Sequence, residues 1–121
     1  MGTLLNIFLQ ESQPGLALYK EKNMFLVQRV FTRADASVAF YKPTTEFRDH
    51  YKTAYKNAGK FLSNTVTVSE DNLKQVISTM WIDEATWNEY LADPICQAHF
   101  AARNAYYEAN GITSERTTAV L

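Results

Sequence analysis

Two side chains in this chain, His50 and His99, have an ordinary pKa near neutrality, so acid–base chemistry would fall first to them. His99 shares an apolar helical stripe with Ile95, Ala102 and Tyr106, where it reads as a general base or a ligand-binding group. A histidine hydrogen-bonded at the edge of the core fits that stripe better still, because no partner group stands beside it. His50, next to Phe47, Tyr51 and Ala54, is a weaker signal of the same kind. Gln28 and Arg29 lie at the centre of an apolar run, Met24 to Thr32, and polar groups there need partners or water if buried. Alternation sends the two to opposite faces, one toward the helices and one toward the outside of the sheet. Arg29 serves equally well as a partner for Glu70, Asp71 or a carboxylate of a second subunit, or as a substrate contact.

Trp81, Trp87, Tyr51, Tyr55, Tyr90, Tyr106 and Tyr107 could line a pocket for a flat ligand, although filling a small core or an intersubunit seam is their better-supported use. The candidate pocket is Gln28, Arg29, His50, Tyr51, Trp87, Tyr90 and His99, with no residue assigned as catalytic. Cys96, the single cysteine, excludes an internal disulfide and a multi-cysteine zinc site, and no basic neighbour lowers its pKa for nucleophilic work. Phosphate loops, paired-histidine motifs and a Ser-His-Asp order are missing, so neither a metal nor a cofactor is expected.

Local signals position these residues. Pro43-Thr44-Thr45-Glu46 opens a segment with Phe47, Tyr51, Ala54, Tyr55 and Ala58 at helical spacing, and Gly59 stops it, which predicts a helix over 45–58. Asp83 caps a second start carrying Trp87, Tyr90 and Leu91 on one face. Asp93-Pro94 then interrupts, so residues 84–109 form one kinked helix or two, closing at Asn110-Gly111. Strands are predicted at 24–32, 62–68, 73–81 and 116–121, with Ser69 to Asn72 as a hairpin turn. Residues 34–41 fit a short strand or an ordered loop. The order β-α-β-β-α-β predicts an α+β, ferredoxin-like antiparallel sheet with two helices on one face, over residues 23–121. Residues 1–22 stand apart as an N-terminal arm or extra strand. Because 24–32 is apolar on both faces, the open face of the sheet should meet another sheet, most simply a second copy of the chain.

At 121 residues and 13.8 kDa the chain has the length of one domain able to bury its own core. A net charge of −1 argues against nucleic acid, since Lys20, Lys22, Arg29, Arg33 and Lys42 make only a loose basic grouping. Leu4 to Leu9 is too short and too interrupted for a signal peptide or membrane span, and Asn6 occupies the place where a myristoylation start wants Ser or Thr. A soluble protein of the cytoplasm is expected.

From Leu73 onward the chain resembles the dimeric α+β barrel superfamily, which includes the antibiotic-biosynthesis monooxygenases and related heme-degrading enzymes. The resemblance lies in Trp81, Asp83-Glu84, the aromatic helix Trp87-Asn88-Glu89-Tyr90-Leu91, Asp93-Pro94 and His99-Phe100, and as an element order it spans residues 24–121. It implies a ligand pocket between sheet and helices and a cofactor-independent chemistry that relies on the substrate. Heme degradation does not carry over, because Gln28 and Tyr90 stand where that branch has Asn and Trp, and His99 is one residue short of its spacing. Val68 to Leu73, Trp81, Asp93-Pro94 and Tyr106 to Ile112 also resemble small proteins of tailed bacteriophages. That second resemblance implies a non-catalytic structural or interaction protein, an oligomer with other assembly proteins as partners, located in the host cell or on the virion. The alternative is a small-molecule-binding protein or cofactor-independent monooxygenase.

Overall fold

The computed structural model describes residues 23–121. Four strands, β1 (Phe25–Thr32), β2 (Phe61–Val68), β3 (Lys74–Trp81) and β4 (Thr113–Val120), form one sheet in the order β2-β3-β1-β4. Each of the three pairings is antiparallel. Helices α1 (Thr45–Tyr51), α2 (Glu84–Ala92) and α3 (Pro94–Ala109) complete the ferredoxin-like α+β fold. The arm expected over residues 1–22, with Lys20 and Lys22, lies outside the described residues.

Several local expectations shift. The first helix does not run as an α-helix to residue 58: after Tyr51 it widens into a π-helical segment, Lys52–Lys56, in which the Asn57 N–H reaches back to the Lys52 carbonyl. Thr44 caps its start by accepting from the Phe47 N–H, and Gly59 ends it at φ +69°. Residues 84–109 are two helices. Asp93 terminates α2 and caps α3 in one extended conformation (φ −70°, ψ 122°), which the following Pro94 favours because the α region clashes with its ring. The second helix of the expected motif thus takes the two-helix form that the sequence allowed, giving three α-helices among the described residues. β4 starts at Thr113, three residues before the expected strand, directly after Gly111 (φ +67°) and Ile112 close α3.

In the β2–β3 hairpin the turn over residues 69–72 is built from Asp71, whose Oδ1 accepts from the Ser69 hydroxyl and the Leu73 N–H. Asn72 takes the left-handed position (φ 63°). Residues 34–41 are a loop, and buried Arg33 holds it down. Its guanidinium donates to the Asn72 carbonyl twice (2.9 and 2.7 Å) and to the Val38 carbonyl (2.7 Å), and lies 4.2 Å from the Phe40 ring centre. Arg33 thus has a structural task.

Alternation along β1 puts Phe25, Val27, Arg29, Phe31 and Arg33 toward the helices and Leu26, Gln28, Val30 and Thr32 toward the open face. The helix side divides into two clusters. Phe25, Val27, Phe47, Tyr55, Trp81, Trp87, Tyr90 and Cys96 form one; Phe31, Tyr107 and Ile112, with Val38, Phe40 and Tyr41 against them, form the other. Arg29 lies between Val27 and Phe31 on this face, where an apolar side chain would have joined them.

Candidate functional site

A cavity of about 350 Å³ occupies the gap between the two clusters. Val27, Trp81, Trp87 and Tyr90 wall it from the first cluster and Phe31, Tyr41, Ile77 and Tyr107 from the second, with Arg29, His99 and Arg103 between them. A second recess of about 340 Å³ lies between α1 and α3, and Tyr41, Phe47 and His99 line both. His99 stacks on Phe47 with ring centres 3.6 Å apart and planes 13° from parallel, so the pair forms part of the partition.

Two buried polar atoms of cavity-lining residues, His99 Nδ1 and Trp81 Nε1, have no hydrogen-bond partner among the described residues. Trp81 is 1% exposed, and its indole N–H donates to none of the described residues. Burial first, then the charges of Arg103 and Arg29, pull His99 down to about 4, so its ring is neutral at pH 7. The Tyr51 and Tyr90 hydroxyls are pushed upward by burial and stay protonated. Thr79 donates to Asn64 Oδ1 at 2.9 Å across the β2–β3 side of the cavity.

Positive charge gathers on the helix side of the sheet. Arg29 stands directly opposite Arg116 in the β1–β4 register, and Arg103 comes from α3. The Arg29 guanidinium lies 5.7 Å from the ring centres of both Trp87 and Phe100, Arg103 lies 5.3 Å from Phe100, and Arg116 lies 5.7 Å from Trp87. Burial, followed by repulsion from Arg103, brings Arg29 down to about 10, which leaves it charged at neutral pH. Arg29 does not pair with Glu70 or Asp71, one of the roles its sequence position suggested. The described ion pairs are His50–Asp93 and Lys60–Glu89.

His50 belongs to a different constellation. Its Nε2 is 2.6 Å from Asp93 Oδ2, which also accepts from the Tyr55 hydroxyl at 2.7 Å, while Asp93 Oδ1 caps Ile95 at 3.0 Å. Burial alone would raise the Asp93 carboxyl, but the hydrogen bonds from His50, Tyr55 and the Ile95 N–H outweigh it and bring Asp93 to about 2. Cys96 is fully buried alongside, and burial and then the Asp93 charge push its thiol up to about 12. The ligand atoms of His50, Asp93 and Cys96 lie within 4.8 Å of one another, a donor set of one nitrogen, one oxygen and one sulfur that suits zinc. As they stand, His50 and Asp93 are held by a hydrogen bond to each other.

Of the residues singled out in the sequence, Arg29, Tyr51, Trp87, Tyr90 and His99 line one cavity. Gln28 does not: it is exposed on the open face and donates to Ser78 Oγ at 3.1 Å. His50 lies outside the cavity, in the Asp93 cluster. Arg103 and Arg116 were overlooked, and their only sequence signal was a basic side chain on the inward stripe of an aromatic helix and of a strand. Asp93 was read as a cap alone, because its partners His50 and Tyr55 are 43 and 38 residues away.

No family model and no curated protein matches this sequence. Solved structures do match. SnoaB, a cofactor-independent oxygenase from Streptomyces nogalater, shares 20% identity at a TM-score of 0.55, over 82% of this chain and 93% of its own. A candidate antibiotic biosynthesis monooxygenase from Deinococcus radiodurans shares 13% at 0.56, over 80% and 91%. A dimeric ferredoxin-like protein from an uncultured marine organism shares 8% at 0.54, over 82% and 95%. At these identities the likeness is one of fold. None of these three is described as a phage protein, so the phage resemblance gains no support from them.

Proposed function

We propose that this protein binds a small, flat molecule in the cavity between sheet and helices and acts on it as a cofactor-independent monooxygenase. The observation that carries the proposal is the pair of buried, unpartnered nitrogens, Trp81 Nε1 and His99 Nδ1, on residues lining one aromatic-walled space. The Trp81 N–H is suited to hold a carbonyl oxygen. Neutral His99, in the tautomer that leaves Nδ1 unprotonated, is suited to take a proton from a carbon beside that carbonyl. A base driven down to about 4 matches only a substrate whose C–H is already acidic, such as the methylene of an aromatic ketone. The carbanion then supplies the electrons for dioxygen. One methylene and one dioxygen become one new carbonyl and one water: the carbon keeps one oxygen atom, and the other leaves with both methylene hydrogens, with no external reductant.

The fold shared with SnoaB supports this role over the non-catalytic assembly role that headed the sequence-based expectations. A homodimer is proposed as the working unit, supported by the apolar side chains on the open face of the sheet and by a dimeric relative in fold. The test is oxygen uptake with a panel of aromatic ketones bearing an acidic methylene, alongside His99→Ala and Trp81→Phe. Equimolar oxygen consumption is expected, with turnover falling about 100-fold in H99A, the low end for loss of a positioned base. If no ketone is turned over, or H99A keeps full activity, the oxygenase assignment is wrong.

A further inference from the structure

Resting on that reading of the cavity, we propose that its ligand carries a fixed negative charge: it is a planar aromatic carboxylate, bound through the guanidinium groups of Arg29 and Arg103. Arg29, Arg103 and Arg116 come from three separate elements, yet Arg29 lies against both Trp87 and Phe100 and shares the first ring with Arg116 and the second with Arg103, which also lies over Phe31. Among the described residues none of the three forms an ion pair. The groups that face Arg29 electrostatically are the other two arginines and the hydroxyls of Tyr90 and Tyr107, which burial keeps protonated. Arg29 and Arg116 are also direct cross-strand neighbours, a placement that disfavours like charges.

Half-buried, unneutralised like charges are costly, and ring faces offset only part of that cost. What the arrangement lacks is an anion. Arg29 and Arg103 line the cavity, the Arg103 guanidinium also donating through Nε and Nη2 to Asn104 Oδ1 (3.3 and 3.2 Å), whereas Arg116 is exposed and does not line it. The guanidinium fork matches the two oxygens of a carboxylate. Of the other wall residues, Val27, Phe47, Trp87 and Tyr90 offer a ring system burial and stacking, while Asn64, Gln75, Thr79 and the exposed Arg48 form a polar side. Inorganic phosphate would find the charge but nothing for the remaining surface, and no glycine-rich loop cradles it.

The probes are 2-naphthoate, 2-naphthamide and inorganic phosphate, titrated into the full chain by calorimetry and checked by tryptophan fluorescence. Naphthoate is expected to bind at least about tenfold tighter than the amide, the least a charge-assisted hydrogen bond supplies. Arg103→Gln, on the half-buried face of α3, and Arg29→Gln should each erase most of that preference while leaving amide binding in place. Should R29Q fail to fold, R103Q and the acid–amide pair on the wild type still decide the matter. Equal binding of acid and amide overturns the charge proposal and leaves the small-molecule pocket standing. Phosphate binding as tightly as naphthoate overturns it in favour of a bare anion site, and a preference that survives both substitutions overturns the residue assignment. If neither aromatic binds at millimolar concentration, the pocket reading falls as well.

Discussion

His99 illustrates how surroundings set the chemistry of a residue. The ring is pressed against Phe47, covered by its neighbours and faced by two arginines, so it resists protonation in the folded chain down to about 4, against 6.5 for a free side chain. Between those values the unfolded chain binds a proton on His99 that the folded chain does not. Its contribution to stability is therefore fully present above pH 6.5 and is lost as pH falls toward 4. Urea midpoints measured from pH 7 to 4 should decline, and in His99→Asn the decline over that window should be visibly shallower. Parallel curves for the two proteins would mean that the ring takes its proton in the native state and is not the neutral base proposed. Asp93 does not confuse the measurement, since its own loss of stability comes below its ordinary value of 3.8, as pH falls toward 2.

The joint between α2 and α3 shows what one residue does for several elements. Asp93 ends one helix, caps the next, and accepts from His50 on α1 and from Tyr55 in the π-helical segment. It ties the α1 region to the α2–α3 corner, and that corner aims His99 and Arg103 into the cavity. Asp93→Ala removes a cap worth about 1 kcal/mol and leaves the buried Tyr55 hydroxyl without its charged acceptor, worth about 2 more. A loss of about 3 kcal/mol in urea unfolding at pH 7 is expected, with Asp93→Asn losing roughly half as much because it still caps and still accepts a hydrogen bond. A cost below about 1 kcal/mol for D93A would reduce the residue to a simple cap. The π-helical widening before this joint had no signal in the spacing of Tyr51, Tyr55 and Ala58, which suits an α-helix equally well. Within it, Tyr55 donates to Asp93.

At the scale of the molecule, the open face of the sheet is organised in rows. Leu26 pairs with Met80, and Val30 with Val76, while Thr65, Ser78, Gln28 and Thr117 form a polar row between them. Two short apolar stripes, bounded by Ser63 and Ala119 in one row and by Thr67 and Glu115 in the other, flank a polar row held by the Gln28–Ser78 hydrogen bond, and they suit a matching face related by a two-fold axis, where the apolar pairs bury and Gln28 keeps its Ser78 partner. Sedimentation velocity should therefore give a dimer for the wild type, and Met80→Glu, which places a charge in one stripe, should shift it to monomer with the fold intact. A wild type that stays monomeric at every concentration would count against the homodimer. Nothing on this face reaches the cavity, so M80E separates assembly from ligand binding.

Much of the architecture was legible in the sequence because its signals are short-range. Thr44, Asp83 and Asp93 cap the residues two or three positions on, Gly59 and Gly111 take the left-handed positions that stop helices, and Ser69 to Asn72 close their own turn. Alternation along β1 separated Gln28 from Arg29, but which of the two faces the helices depends on where the crossovers lay them, and that is a property of the whole fold. The arginine cluster draws on β1, α3 and β4, and the Asp93 network on segments about 40 residues apart, as its partners at 38 and 43 show. Caps, turns and periodicity are written within a few residues of where they act. Charge environment, cavity and proton affinity arise from groups that only packing brings together, so they belong to the tertiary structure alone.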